Sequence, residues 1–162
     1  MTTPGSLIDK ETAGFIQRSV SINVATRNAE NRPAVARAAG CQVAETGNGL
    51  TIYLSRMFNQ TLLDNLVANQ QLAVVFSRPS THRTIQIKGR DAQIRPVTEA
   101  DKPVIQAYTG SFIHELLGIG FPPAFCEAII PPVDENFVAI SFTPELAYTQ
   151  TPGPNAGKKL SV

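Results

Sequence analysis

Apolar and polar residues alternate with period two along much of this chain, which predicts a protein built mainly of β-strands. The clearest alternation is at residues 84–88, where Thr84, Gln86 and Lys88 share one polar face of a strand. Residues 72–76 instead form a continuous apolar run, which predicts a strand buried on both faces. The pattern predicts six strands, at residues 19–26, 33–43, 50–54, 72–76, 84–97 and 136–142, the last extending to about residue 149.

Apolar residues at helical spacing predict four helices, at residues 9–18, 62–69, 98–117 and 123–130. Thr98 and Asp101 have the spacing of a capping box at the start of the third helix. The pattern favours the α+β class, mainly β, with a six-stranded antiparallel barrel and peripheral helices. We expect a single domain over residues 1–162, with a helical insertion at about 98–132. A doubly wound α/β fold would need a helix between most strand pairs, and the pattern lacks them.

Small residues are concentrated in the second predicted strand, residues 33–43, where Gly40 indicates a bulge or a close approach of another group. A run of alanines is unusual for a strand. Either a flat ligand or another chain lies against this strand, or the strand packs tightly under a helix.

Composition and charge exclude several classes of partner. The chain has 162 residues and a net charge of +1, so no overall field attracts nucleic acid or an anionic membrane. No apolar run approaches the roughly 20 residues of a membrane span, and the N-terminus carries no secretory pattern. Cys41 and Cys126 stand far apart and outside any metal-ligand spacing, which favours reduced thiols in a cytoplasmic protein with no metal site.

The densest group of polar chemistry is the segment Ser77–Thr84, which holds four hydroxyl groups, two arginines and His82. Guanidinium and hydroxyl donors together suit a phosphate group, so Arg83 and His82 are candidate ligand contacts. The alternative is a solvated hairpin loop between two strands. Ser55 and Arg56 are a second candidate anion contact, or a solvent-facing pair. The sequence contains no G-x-S-x-G nucleophile motif, no Walker A phosphate-binding loop and no H-E-x-x-H zinc motif.

Residues 19–97 resemble the split-barrel flavoproteins related to pyridoxamine 5'-phosphate oxidase. That family has a G-R-P turn, an F-Y-T-N strand, a helix that begins with S-R-K-G, an apolar strand and a strand like R-Q-V-R-V-x-G. The corresponding pieces here are Asn31–Pro33, Ile52–Ser55, the helix at 62–69, Leu72–Phe76 and Arg83–Gly89. The segments 76–89 and 149–157 are similar to a less characterised branch of these proteins.

The resemblance implies a homodimer with FMN at the dimer interface. Tyr53 and Ser55 match the strand that contacts the flavin, and Thr84 stands where the family has Gln. Gln86 and Lys88 share the face of Thr84 and would address the isoalloxazine edge.

Two family features are absent. Phe58, Asn59 and Gln60 replace the Ser-Arg-Lys phosphate clamp, which leaves Arg37, Arg56 and Arg83 as candidate replacements. The C-terminal Arg-x-His type motif that holds the pyridoxal substrate is also missing, so the resemblance is to related proteins and not to the oxidase itself.

The sequence therefore supports two hypotheses. The first is an FMN-binding oxidoreductase of unknown substrate, in which the cofactor carries the electrons and the protein positions it. A deazaflavin in place of FMN stays open. The second is a non-catalytic split-barrel binding module, whose flavin site has decayed or holds haem or another planar ligand.

Overall fold

The computed structural model describes residues 6–130 and 132–160 of the chain. The described residues form four helices: α1 (Lys10–Ile16), α2 (Gln60–Asn69), α3 (Lys102–Gly118) and α4 (Pro123–Ile129). They form nine strands: β1 (Ser21–Arg27), β2 (Pro33–Arg37), β3 (Cys41–Val43), β4 (Leu50–Ser55), β5 (Leu72–Ser77), β6 (Thr84–Gly89), β7 (Gln93–Pro96), β8 (Phe137–Phe142) and β9 (Leu146–Thr149). The predicted α+β class is confirmed. Residues 1–5, on which the expectation of no secretory signal rests, lie outside the described ranges.

The strands form two antiparallel sheets that pack face to face. The five-stranded sheet has the order β2-β1-β5-β6-β9, and the four-stranded sheet has the order β3-β4-β8-β7. Hairpin partners such as β5 and β6 pair along their whole length, from Leu72 opposite Gly89 to Ser77 opposite Thr84. The side chains of β1, β5 and β6 alternate between the core and the outer surface. The expectation that residues 72–76 are buried on both faces is wrong, because Ala73 and Val75 of β5 face outward and are half-exposed.

The predicted count of six strands is not confirmed, because three predicted strands each divide in two. Residues 33–43 become β2 and β3, residues 84–97 become β6 and β7, and the strand at 136–149 becomes β8 and β9. Each division marks the point where the chain leaves one sheet and joins the other. Strands commonly form the corners of packed sheets in this way. Period-two alternation continues through such a bend, so the pattern does not reveal it.

Glycines permit close contacts at two of these corners. A Cβ atom on Gly40 would lie 3.1 Å from Cδ2 of Tyr53 and 3.5 Å from Cα of Ile105 in α3. A Cβ atom on Gly89 would collide with the ring of Phe142 and lie 2.9 Å from the carbonyl oxygen of Thr143. The small residues near Gly40 are therefore explained by tight packing under a helix, one of the two alternatives that the sequence left open.

The hydrophobic core lies between the two sheets. Its fully buried members include Ile22, Val74, Phe76 and Ile87 from the five-stranded sheet and Ile52, Leu54, Val138 and Ile140 from the four-stranded sheet. Helix α2 contributes the buried side chains of Leu62, Leu63 and Leu66. Burial of each such side chain stabilises the fold by roughly 1.5–3 kcal/mol. Cys41 and Cys126 are buried free thiols.

The helices begin and end close to the predicted positions. Helix α1 starts after Asp9, whose carboxylate accepts a hydrogen bond of 2.7 Å from the backbone N–H of Thr12. Helix α3 begins four residues later than predicted, because residues 98–101 form a turn ahead of it. Across the described ranges, no helix has both the length and the apolar character needed to cross a membrane.

Candidate functional site

The outer face of the five-stranded sheet carries four of the nine predicted cofactor contacts. Thr84, Gln86 and Lys88 point away from the core from β6, and Arg37 does so from β2. The outward side chains of β1, β5 and β6 are half-exposed, except for that of Arg27, which is exposed. We call this surface, made by the outward residues of β2, β1, β5, β6 and β9, the outer face.

Strand pairing arranges the outer face in rows that run across the sheet. One row consists of Arg37, Asn23, Val75, Gln86 and Tyr148. The next row consists of Val35, Ala25, Ala73, Lys88 and Leu146. Alanine methyl groups project little above a sheet, so the middle of the second row is flat and apolar. A planar ring can lie on such a surface.

A groove of about 350 Å³ opens at the end of the outer face where Lys88 lies. Its basic side chains are Arg27, Lys88 and Arg90, and its floor includes Ala25 and Ala73. We call it the basic groove. The sequence pattern selected only Lys88, because Arg27 and Arg90 come from different parts of the chain and neither belongs to a motif.

The charges in the basic groove are only partly satisfied by the protein. Nη2 of Arg27 donates a hydrogen bond of 3.0 Å to Oε1 of Gln71. Nε of Arg90 lies 3.7 Å from Oε2 of Glu145, the one carboxylate among the groove's lining residues. Nζ of Lys88 is 5.4 Å from the ring centroid of Tyr148. Within residues 6–130 and 132–160, Arg27 and Lys88 form no ion pair.

Arg37, the predicted contact on β2, has partners of its own at the edge of the outer face. Its Nη1 donates a hydrogen bond of 2.9 Å to Oγ of Ser21, and its guanidinium lies 6.0 Å from the ring centroid of Phe112. The side chain is nevertheless exposed. It can therefore still meet a ligand on the first row.

The turn between β5 and β6 contains His82 and Arg83, and its arginine side chains pack against α1. The guanidinium of Arg83 lies 4.3 Å from the ring centroid of Phe15, and its Nη2 is 2.9 Å from Oε1 of Glu11. Arg78 contacts the same ring at 5.0 Å. His82 has a φ of 58°, a left-handed turn conformation, and its side chain is exposed. The arrangement favours the hairpin-loop alternative for this segment.

Hydroxyl groups of the same turn also form hydrogen bonds within the chain. Oγ of Ser77 and Oγ1 of Thr84 are 2.8 Å apart. Oγ1 of Thr84 donates to the carbonyl oxygen of His82 at 3.0 Å, and its backbone N–H donates to Oγ1 of Thr151 at 3.0 Å. Thr84 is half-exposed on the outer face, so it can accept a further hydrogen bond there.

Tyr53 is fully buried, although the family resemblance implied that it contacts the flavin. Helix α3 covers the outward side of β4 at this point, and Ile105 packs beside the tyrosine ring. The Tyr53 hydroxyl donates to Oδ1 of Asp101 at 2.9 Å and lies 3.0 Å from the side-chain amide of Gln42. Burial, helped by the bond to Asp101, raises the pKa of this hydroxyl. In this structure Tyr53 therefore fastens α3 to the sheet and offers no surface to a ligand.

Asp101 is the centre of the buried polar network to which Tyr53 belongs. Its carboxylate accepts two hydrogen bonds from Arg95, at 2.7 and 2.8 Å. It also accepts bonds of 2.8 Å from the backbone N–H and the hydroxyl of Thr98. The predicted capping box at the start of α3 is not formed, because these bonds close the turn ahead of the helix and the N-cap residue Asp101 makes no side-chain cap. Arg95, more than any other group, holds the pKa of Asp101 well below its usual range. The network is structural, because its atoms are turned to one another and not to a cavity.

Ser55 and Arg56 lie at the end of β4, just before α2. Oγ of Ser55 accepts a hydrogen bond of 3.1 Å from the N–H of Met57, and the backbone N–H of Arg56 donates to the carbonyl oxygen of Asn136 at 2.7 Å. The Arg56 side chain is exposed. Phe58 is 97% exposed with a φ of 64°, and Asn59 gives α2 no side-chain cap. Residues 58–60 supply no charged side chain to an anion.

A second cleft, of about 510 Å³, lies on the four-stranded sheet. A polar row crosses it, formed by Gln42, Thr51, Ser141 and Gln93. Oγ1 of Thr51 and Oγ of Ser141 are 3.0 Å apart. Although this cleft is larger than the basic groove, its one charged lining residue is Asp91, which makes it a poor site for an anion.

Solved structures share this arrangement of strands and helices over nearly the whole chain. A pyridoxamine 5'-phosphate oxidase candidate from Lactobacillus delbrueckii has a TM-score of 0.54 and 13% identity, covering 91% of this chain and 99% of that chain. HupZ from Group A Streptococcus has a TM-score of 0.53 and 18% identity, covering 93% and 99%. An F420 reductase has a TM-score of 0.50 and 20% identity, covering 83% and 93%.

The chain has the fold of pyridoxamine 5'-phosphate oxidase-like proteins. The resemblance proposed from the sequence is thus confirmed for the fold. No protein-family model matches the chain, and a search of curated proteins finds no match.

The fold brings together some of the predicted contacts and separates others. Thr84, Gln86 and Lys88 form one column on the outer face, with Arg37 at the far end of the row of Gln86. Ser55 and Arg56 lie off this face, at the end of β4 in the other sheet, and His82 and Arg83 lie in the turn. Arg27 and Arg90 lie with Lys88 in the basic groove, and the sequence pattern did not predict either of them as a ligand contact.

Proposed function

We propose that this protein binds FMN on the outer face of the five-stranded sheet and works as a flavin-dependent oxidoreductase. The observation that carries the proposal is the outer face itself, where predicted contacts from two strands border a flat apolar strip. The shared fold with an F420 reductase and an oxidase candidate is consistent with it. When bound, the flavin would supply the redox chemistry, and the chain would position it.

The residues of the outer face fit a ring of this kind. Ala25 and Ala73 provide the flat strip, and β1, β5 and β6 together span roughly 10 Å, about the length of a tricyclic ring. Gln86 lies in the row next to the strip and provides hydrogen bonds to a polar ring edge, and Thr84 lies one row further along β6. The side chains bind and orient the ring and exclude water from one of its faces.

We propose that a second copy of the chain covers the other face of the ring. Val35 on β2 is 64% exposed, and it continues the apolar row of Ala25 and Ala73. A stable interface buries about 800 Å² on each partner, which the outer face of a five-stranded sheet can supply. Ser55, Arg56, His82 and Arg83 lie off the outer face. They stay predictions from the sequence, and the site proposed here does not include them.

The dimer is tested by charge substitutions at exposed valines. Val35→Glu is expected to shift the protein from dimer to monomer in sedimentation velocity, because it places a carboxylate in the apolar row. Val67→Glu is the matched control, since Val67 is 78% exposed on α2 and outside the outer face. A dimer that survives Val35→Glu, or a wild-type monomer, contradicts the proposed interface.

The second candidate is a non-catalytic module that holds haem or another planar ligand on the same face. The start of α2 favours it, because residues 58–60 carry no cation for the FMN phosphate. The two candidates predict different ligands in the same place.

A visible absorption spectrum before and after loading with FMN and desalting decides between them. Retained flavin near one equivalent per chain supports the proposal. Ala73→Leu should abolish retention by raising the floor, whereas Ala128→Leu, at an exposed position of α4, should not. Wild-type protein that retains no flavin but retains haem selects the second candidate.

A further inference from the structure

An FMN phosphate needs a cluster of cations, and the positions suggested by the sequence do not provide one. Residues 58–60 at the start of α2 are uncharged. Arg83 is held by Glu11 at 2.9 Å and by the ring of Phe15. Arg56 is a single exposed side chain. If the proposed function holds, the phosphate must be bound elsewhere.

The basic groove gathers three cations at one end of the flat strip. Arg27 ends β1, Lys88 lies in β6, and Arg90 directly follows β6. Strand β5 separates β1 from β6, so Arg27 and Lys88 belong to strands about 10 Å apart and can face one ligand from two sides. With Glu145 included, the groove has three positive charges and one negative charge.

A ligand can bind these cations without breaking a strong contact within the protein. Arg27 donates to a neutral amide, that of Gln71, and Lys88 lies over an aromatic ring. The Arg90 contact to Glu145 is long, at 3.7 Å, and the two side chains are 69% and 41% exposed. Exposed pairs of this kind contribute little stability, so a phosphate can replace Glu145 as the partner of Arg90.

We propose that the basic groove, through Arg27, Lys88 and Arg90, binds the terminal phosphate of the flavin whose ring lies on the outer face. This inference rests on the proposed function and names the anchor of that site. A phosphate monoester carries about −1.5 to −2 charges at pH 7, which matches the excess positive charge of the groove. The groove volume, about 350 Å³, leaves room for the phosphate and the chain that joins it to the ring.

The assignment also sets the direction of the ligand along the sheet. The phosphate lies beside Arg27 and Arg90 at the Gly89 end of β6, and the ring lies over Ala25 and Ala73 with Gln86 in the row beyond it. Lys88 therefore binds the phosphate and does not address the ring edge, the role suggested for it by the resemblance.

The test compares FMN with riboflavin, which has the same ring and no phosphate, by quenching of flavin fluorescence. In the double variant Arg27→Met and Lys88→Met, FMN affinity should fall at least about 30-fold, because two charged donors are lost. Riboflavin affinity should change less than about threefold, since methionine keeps the apolar part of each side chain. Lys88→Arg should retain most of the FMN affinity.

Arg56→Met is the matched control, since it also removes one exposed cation. It should leave FMN affinity within about twofold if the groove is the anchor. Wild-type protein that binds both flavins while the double variant keeps its FMN affinity overturns the groove assignment and leaves the proposed function standing. Equal loss of FMN and riboflavin in the double variant overturns it as well. Wild-type protein that binds neither flavin overturns both.

Discussion

Two groups of basic side chains in this protein differ in what their charges contact. In the turn between β5 and β6, Arg78 and Arg83 both lie over the ring of Phe15, and Arg83 pairs with Glu11. In the basic groove, Arg27 and Lys88 have no carboxylate partner among the described residues, and Arg90 has only a distant one. The first group holds α1 against the sheet, and the second remains open to a ligand.

The comparison shows that a dense polar segment is a poor guide to a binding site. Neighbours in a tight turn are close enough to bond one another, and the turn at residues 77–84 does so through the hydroxyls of Ser77 and Thr84. Cations brought together from separate strands have fewer local partners. Their charge is therefore left for a ligand.

The largest expected effect concerns Arg95, a basic side chain that pairs with the buried carboxylate of Asp101. Asp101→Ala should lower the free energy of unfolding by roughly 2–4 kcal/mol, because the buried Tyr53 hydroxyl loses one of its two acceptors and Arg95 loses its carboxylate partner. The estimate is below that for a fully buried pair because Arg95 is 43% exposed. Urea unfolding measures it, with the exposed Glu99→Ala as the control in the same turn. A loss below about 1 kcal/mol would show that the network does not stabilise α3.

The carboxylate of Asp101 also makes the stability of the protein depend on pH. Because the pKa of Asp101 is lowered in the folded state, its contribution is fully present above the unfolded pKa near 4 and is lost as the pH falls towards the folded pKa. Asp101→Asn removes the titrating group. We expect the difference in stability between wild type and Asp101→Asn to shrink as the pH is lowered from 5 towards 2. A constant difference over that range contradicts the assignment.

The next effect is the dependence of flavin affinity on salt concentration, which tests whether the basic groove binds the phosphate. FMN affinity of the wild type should fall about threefold to tenfold between low and high ionic strength, since the groove cations are exposed and screened. Riboflavin affinity should change little. A salt response of equal size for both flavins would mean that the ring, and not the phosphate, is sensitive to the ions. Parallel fluorescence titrations at several salt concentrations provide the comparison.

The smallest effect concerns the turn. Arg83→Met should cost about 1 kcal/mol of stability, from the lost contact with Phe15, and should leave FMN affinity within about twofold. Glu11→Gln removes only the exposed ion pair and should cost less than about 0.5 kcal/mol. Thermal unfolding with and without FMN measures both quantities. A tenfold loss of FMN affinity in Arg83→Met would show that the turn is part of the binding site.

Sequence patterns were sufficient for the strands and helices but not for the course of the chain between the sheets. Alternation is a local property, so it located the side chains of β1 and β6 correctly. It continues through bends, so it merged β2 with β3 and β6 with β7. Gly40, interpreted from the sequence as a bulge or a close approach, was a local sign of such a corner.

The site was harder to predict because it depends on contacts between distant residues. Tyr53 lies on the same side of β4 as the half-exposed Thr51 and Ser55, so the sequence pattern predicts that it is exposed. In the structure α3 covers it. Arg27 and Arg90 have no unusual neighbours in sequence, and only the pairing of β1, β5 and β6 brings them to one groove. Lys88 was found because it belongs to an alternating strand.

The most direct test of the central claim is a methyl NMR spectrum of the protein during titration with FMN. A flavin ring on the outer face should move the methyl signals of Ala25 and Ala73 by its ring current, and should leave the exposed Ala128 of α4 unchanged. Bound FMN that leaves the signals of Ala25 and Ala73 in place would contradict the account.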